Sequence, residues 1–253
     1  MNIPTAIPTT LKPEKKCLQG RVILVTGANG SLGRIAALAF AAHGATVVLH
    51  GRNSARLEAL YDEIEATGGG EPAILALDFL HATEADYKGL ADTIHATFKR
   101  LDGIFHAAAH LAPLTPLALQ DFASWQAHHS VNFMAPIALT RACLPMLKRS
   151  PAAAAVFLSE THAMTSKAFW GAFAVTKSAL HQTAAIWNDE LEHESALRMR
   201  VLIPGPVASR CRALTHPGEL STALPIAESL ADAFVLLISA DKRLPPATLY
   251  GAM

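Results

Sequence analysis

Arg21-Val22-Ile23-Leu24-Val25-Thr26-Gly27-Ala28-Asn29-Gly30-Ser31-Leu32-Gly33-Arg34 is the stretch whose reading decides the fold. A β-branched and apolar run ends in a glycine-spaced turn. The turn opens onto Ile35-Ala36-Ala37-Leu38-Ala39-Phe40-Ala41-Ala42, whose composition is helical. The order is strand, tight turn, helix. Gly27, Gly30 and Gly33 let the chain turn sharply and let its backbone approach a pyrophosphate, whose charge then sits at the helix N-terminus. A dinucleotide suits this arrangement, whereas three glycines at a strand end are also ordinary turn chemistry.

Working outward, residues 45–50 read as a second strand, and Asn53 caps a charged helix over 54–66. Gly68-Gly69-Gly70 stops that helix, and a third strand over 72–77 ends at Asp78. A helix over 83–100 precedes a fourth strand over 103–109 that runs into a small-residue turn. A long helical region over 119–148 follows, interrupted near Pro136 and kinked near Pro145, because proline removes a helical donor. Strand 153–158, helix 171–193, strand 199–203, helix 226–239 and a short strand 248–250 complete the series. Unbroken alternation predicts a Rossmann-type doubly wound parallel sheet, a three-layer α/β/α single domain over 20–253, with ligands at the carboxyl ends of the strands. Residues 1–19 are expected to form a loosely held extension.

The 253 residues suit one domain with a sizeable core. Acidic and basic side chains balance at 21 each, so no global field points to nucleic acid or an anionic membrane. Cys17, Cys143 and Cys211 match no metal or redox spacing, and the histidines form no H-E-x-x-H signature, so no metal site is expected. The first 16 residues lack an apolar signal core and no apolar run reads as a membrane span, which leads to the expectation of a reduced, cytoplasmic setting.

An acidic residue at the end of the second strand would hold the adenosine ribose hydroxyls and repel a 2′-phosphate. Here the segment is His50-Gly51-Arg52-Asn53, with no carboxylate. Arg52 offers a planar fork suited to a phosphate, which favours NADP(H) over NAD(H); its alternative is a solvated arginine at a helix start. Arg34 either helps or faces solvent. Asp78 either accepts from the adenine amino group or caps the next helix.

From about residue 18 to 250 the chain resembles the short-chain dehydrogenase/reductase family, on Thr26-Gly27-Ala28-Asn29-Gly30-Ser31-Leu32-Gly33, Gly51-Arg52-Asn53, Leu77-Asp78, Leu101-Asp102-Gly103, Val131-Asn132, Lys177 and Pro204-Gly205. Its length is that of the single-domain branch. Ser31 replaces that branch's usual glycine, and His106-Ala107-Ala108-Ala109 replaces its usual N-A-G. The resemblance implies cofactor contacts at Gly27, Asn29, Gly30, Ser31, Leu32, Gly33, Arg52, Asn53, Asp78, Phe79, Ala107, Ala108, Lys177, Pro204, Gly205, Val207 and Ser209.

The family's chemistry uses a tyrosine four residues before a lysine, a serine about thirteen residues before the tyrosine, and an asparagine further back. Those positions hold Phe173, Lys177, Glu160 and Asn132. A lysine lowers the phenol pKa so that it gives or takes a proton as hydride moves; phenylalanine cannot do this. Losing a positioned general acid costs about two to four orders of magnitude in rate. Lys177 also holds the nicotinamide ribose in this family, so it speaks for cofactor binding more than for turnover. Arg200 stands where relatives commonly have asparagine.

Glu160, His162 and His110 belong near the carboxyl ends of the fourth and fifth strands. They either divide acid and base work or merely rim the pocket. Glu160 either opposes a carbonyl substrate and favours a cation, or pairs with Lys177. The resemblance also implies a homodimer or homotetramer through the helices over 119–148 and 171–193, and a mobile cover over 210–224. Three functions stay open: an NADP(H)-binding protein of oxidoreductase descent with little or altered activity, a working NADPH-dependent oxidoreductase using Glu160, His162 or water on an unidentified small molecule, and a non-catalytic scaffold.

Overall fold

The strand Val22–Thr26 (β2) is buried along its whole length, as a strand covered on both faces must be. It lies between Thr46–Gly51 (β3) and Gly103–His106 (β5), and both pairings are parallel. The structure is a computed structural model and describes residues 3–193 and 196–252. Within it Thr5–Ala6 (β1), Ala73–Ala76 (β4), Ala154–Leu158 (β6), Arg198–Ile203 (β7) and Leu249–Gly251 (β8) extend the sheet to the order β1-β8-β7-β6-β5-β2-β3-β4, parallel throughout.

Helices cover both faces. Ser31–Ala42 (α1), Ser54–Ala66 (α2) and Ala231–Ile238 (α8) bury Phe40, Leu57 and Phe234 on one side. Glu84–Phe98 (α3), Ala135–Arg149 (α5) and Gly171–Leu191 (α6) bury Ile94, Leu139 and Leu180 on the other. The expected three-layer Rossmann-type fold is therefore present. The direction of strand succession reverses beside β2, which opens a crevice at the carboxyl ends of β2 and β5.

Four expectations need correction. The described residues before β2, from residue 3 on, are held at several points and not loose. Thr5 and Ala6 pair with Tyr250 and Gly251, covering an otherwise open sheet edge, and Leu18 is fully buried. The long helical region is divided: a 3₁₀ turn at Leu117–Leu119, a helix at Phe122–His128 (α4), a π-helical stretch at His129–Met134, and then α5. The π stretch absorbs the break expected at Pro136, which instead sits in the first turn of α5, where its missing N–H costs nothing. The fourth strand stops at His106, because Ala107 and Ala108 leave the ladder for the turn. The segment Phe122–Arg149 is long and apolar enough, by length and composition, to cross a membrane. In this fold α5 lies on the sheet with Leu139, Cys143 and Leu147 buried.

The far end of the sheet is tied by Asp102, which is only 1% exposed. Its carboxylate accepts from the Val22 amide at 2.9 Å, Arg100 Nε and Nη2 at 2.8 Å each, and Ser150 Oγ at 2.7 Å. Burial alone would push its pKa up; the hydrogen bonds from Arg100, Val22 and Ser150 hold it below the usual carboxylate range. Asp102→Ala leaves those donors without a partner and is expected to cost about 3 kcal/mol in a denaturant melt. A loss under about 1 kcal/mol would show that water replaces the carboxylate there.

Candidate active site

The glycine turn is built by close approach. Gly27 has φ +63°, and a Cβ there would lie 2.7 Å from the Ala108 backbone. A Cβ on Gly33 would lie 2.2 Å from the Gly27 carbonyl, so α1 packs on the turn only with glycine at that position. Gly30 is the N-cap of α1 and supplies no side-chain cap, and the first turn carries no acidic residue. The amides of Ser31, Leu32 and Gly33 therefore meet an electrostatically open helix end, which fits a pyrophosphate.

Around this turn stand the other residues expected at the cofactor. Asn29 lies against Gly51, where an added Cβ would meet Asn29 Oδ1 at 3.3 Å. Arg52 is exposed at the end of β3, with Nη1 4.0 Å from Asp78 Oδ1. Asp78 Oδ1 accepts from the Leu80 amide at 3.1 Å and so shapes its own turn; the cap of α3 is Thr83. Asn53 caps α2 by accepting from the Arg56 amide at 3.0 Å. Arg34 turns away to an exposed ion pair with Glu63. The Phe79 ring is buried, stacked on His50 with centroids 4.1 Å apart. Ala107 and Ala108 donate to the Thr26 carbonyl and Oγ1 at 3.2 Å each.

After β7, Pro204 leads into Gly205, which has φ +73°, and Val207 is buried. Ser209 Oγ caps the short helix Arg210–Thr215 (α7) by accepting from the Arg212 amide at 3.2 Å. The Arg210 amide donates to Ser31 Oγ at 3.3 Å. The cover expected over 210–224 thus begins as a formed helix, α7, tied to the glycine turn, and continues through a 3₁₀ turn at Ser221–Ala223.

At the other end of the crevice, Lys177 is buried and donates from Nζ to the Leu158 carbonyl at 2.8 Å. Burial lowers its pKa to about 8, so it is mostly charged at pH 7. Its ammonium lies 5.9 Å from the centre of the Phe173 ring, where a tyrosine would feel its charge. Asn132, in the π-helical stretch, is fully buried and clamps the loop after β5. Its Oδ1 accepts from the His110 amide at 2.7 Å and its Nδ2 donates to the His110 carbonyl at 2.9 Å.

Glu160 does not pair with Lys177. Its Oε2 lies 3.0 Å from His162 Nδ1, and His162 stacks on Trp170 with centroids 4.0 Å apart. Trp170 also neighbours Phe173 at 6.0 Å and His216 at 6.2 Å, so the ring that meets the carboxylate belongs to one aromatic cluster. Burial pushes the Glu160 carboxyl up, and the His162 hydrogen bond offsets part of the rise. His110 is not in this group; its ring meets His128 at 4.7 Å.

The short chain dehydrogenase family, as a sequence model, matches residues 21–219. The chain belongs to the short-chain dehydrogenase/reductase family. Relatives of similar length agree: the uncharacterized oxidoreductase YciK of Escherichia coli K12 is 34% identical over 232 residues, 92% of this chain and 91% of its own. A short chain dehydrogenase from Salmonella enterica serovar Typhi superposes with a TM-score of 0.92 at 34% identity, covering 96% of this chain and all of that one. A chain from Escherichia coli CFT073, solved in complex with NADPH, superposes with a TM-score of 0.91 at 34% identity, over 95% and 100%.

Within this short-chain dehydrogenase fold, sequence reading missed two positioning contacts. Gln120 accepts from the Ala172 amide at 3.0 Å and donates to the Phe169 carbonyl at 3.3 Å, fixing the entrance of α6. His181 Nε2 lies 2.6 Å from Ser159 Oγ, which accounts for the serine beside Glu160. The i, i+4 spacing from Lys177 places His181 on the buried side of α6, and that was the available signal.

Proposed function

We propose that this protein binds NADP(H) at the β2–α1 crevice and has given up tyrosine-assisted carbonyl reduction. The observation that carries this is the side-chain set at the reacting end: Lys177 is buried and placed as a charge, while Phe173 beside it has no proton to give. The glycine turn, the uncapped α1 terminus and Arg52 fit the dinucleotide and its 2′-phosphate, and relatives solved with NADP and NADPH support that cofactor. When bound, the reduced nicotinamide supplies a hydride; Lys177 would hold the ribose and Asn132 the loop carrying His110. The Glu160–His162 contact favours a second reading, in which that pair moves the proton in place of tyrosine.

Calorimetric titration tests the cofactor. NADPH is expected to bind more tightly than NADH, and Arg52→Ala to weaken NADPH by about tenfold while leaving NADH nearly unchanged, since a lost charge-assisted contact is worth about 1.5 kcal/mol. Equal affinities in the wild type would remove Arg52 from its role, and no binding of either would favour the scaffold. Phe122, Met134, Val175 and Ile186 expose apolar side chains on α4, the π stretch and α6, which supports a homo-oligomer through these helices.

A further inference from the structure

A carbonyl-reducing pocket presents hydroxyl donors, from serine and tyrosine, to a ketone oxygen. This pocket has the opposite polarity. At the serine position Glu160 brings two acceptor oxygens, and at the tyrosine position Phe173 brings none. His162 satisfies Oε2, whereas Oε1 is buried with no hydrogen-bond partner, the backbone at His162 and Ala163 favouring the carboxylate only in part. A buried carboxylate oxygen without a donor is costly, so a ligand that brings an N–H or a positive charge gains what a ketone cannot.

The neighbouring cations do not fill this place. Lys177 Nζ is directed to the Leu158 carbonyl, and the Arg212 fork is engaged by Glu219 at 2.5 and 2.8 Å. An aromatic cluster begins at the ring that meets the carboxylate: His162 stacks on Trp170, and Trp170 neighbours Phe173 and His216; ring faces attract cations. A carboxylate joined to an aromatic cluster suits an organic ammonium better than a ketone.

We propose that the pocket beside Glu160 takes a nitrogen cation, a protonated amine or iminium carried on an apolar ring, held by the Glu160 carboxylate and the rings of Trp170 and Phe173. This rests on the reading of the crevice as an NADP(H) site with its substrate end at Glu160. It also removes the difficulty posed by Phe173. With the reduced nicotinamide bound, an iminium carbon would accept its hydride while the C=N π pair moves onto nitrogen. A neutral amine results and no proton is consumed. Glu160 is then a charge partner, and the missing phenol is not required.

The test is direct binding, measured by calorimetry at pH 7.5 with and without NADP. The probes are 1,2,3,4-tetrahydroisoquinoline, protonated at that pH, and isochroman, its neutral oxygen counterpart. The ammonium is expected to bind at least tenfold more tightly than isochroman. Glu160→Gln, which keeps size and removes charge, should erase the preference; Glu160→Asp should keep part of it. Equal binding of the two probes, or an undiminished preference in Glu160→Gln, would overturn the proposal. The cofactor titration on the same preparations separates the two readings: normal NADPH affinity without ammonium preference rejects the cation pocket alone, and ammonium preference without NADPH binding rejects the cofactor reading alone.

Discussion

Lowering the pH from 6.5 to 4 is expected to remove about 5 kcal/mol of folding stability through two histidines alone, at about 1.4 kcal/mol per pH unit for each. His50 and His106 sit at the carboxyl ends of β3 and β5, each 2% exposed. Burial pushes their pKa values down to about 4 and about 3, and the Lys177 charge adds to the fall at His106. Neither His50 ring nitrogen has a hydrogen-bond partner, a backbone interaction at Leu77 offsetting only part of its shift; His106 shares Nε2 with Thr140 at 2.9 Å and leaves Nδ1 unpaired. The sign follows from where the proton goes. Below about pH 6.5 the unfolded chain binds protons that the folded chain refuses, so this stability is complete above that pH and is lost toward pH 4 and 3. Urea melts at pH 7, 6, 5 and 4.5 would show the slope. His50→Leu, which keeps an apolar body against Phe79, should reduce it by about 1.4 kcal/mol per unit. Parallel slopes in wild type and variant would mean that His50 opens to water before the fold does.

The same two histidines show what sequence could not convey. The alternation of apolar strands and amphipathic helices fixes the order of elements, because a strand buried on both faces needs a continuous apolar run and a surface helix needs one apolar stripe. That is why β2, the glycine turn and the body of α1 from Ile35 were legible, although α1 itself begins at Ser31, inside the residues read as the turn. His50 and His106 read as strand-end polar residues, and only the packing of Phe79 and Phe157 on their rings makes them buried and neutral. Likewise, the two-residue strand β1 is too short for a periodic signal; it exists because the β8 edge needs a partner. At the site, the family resemblance assigned Phe173 and Glu160 to the tyrosine and serine positions, but the partner of Glu160 was not legible. Whether a carboxylate meets a lysine or a histidine depends on side-chain directions after β6, which no periodicity encodes. In the structure the partner is His162, at 3.0 Å, while Lys177 donates to the Leu158 carbonyl.

The double variant Phe173→Tyr with Glu160→Ser should gain NADPH-dependent reduction of test aldehydes and ketones by about two to four orders of magnitude over the parent, the span attributed to a positioned general acid. The reason lies in what the chain has kept. Lys177 remains buried and charged 5.9 Å from the ring at position 173, so a phenol introduced there would have its pKa lowered by the nearby charge. Asn132 still clamps the His110 backbone, and Gln120 still fixes the start of α6, so the helix that carries position 173 needs no rebuilding. Serine at 160 removes the carboxylate that repels a developing alkoxide and restores a donor. Phe173→Tyr alone should gain far less, because Glu160 keeps its charge opposite the carbonyl oxygen. The measurement is NADPH oxidation at 340 nm, read beside calorimetric NADPH affinity for each variant, so that a failure to bind is told apart from a failure to react. A folded double variant that binds NADPH and reduces nothing would show that the pocket no longer admits a carbonyl in any reactive pose, and that its departure from the family extends beyond two side chains to the walls formed by Trp170 and His216.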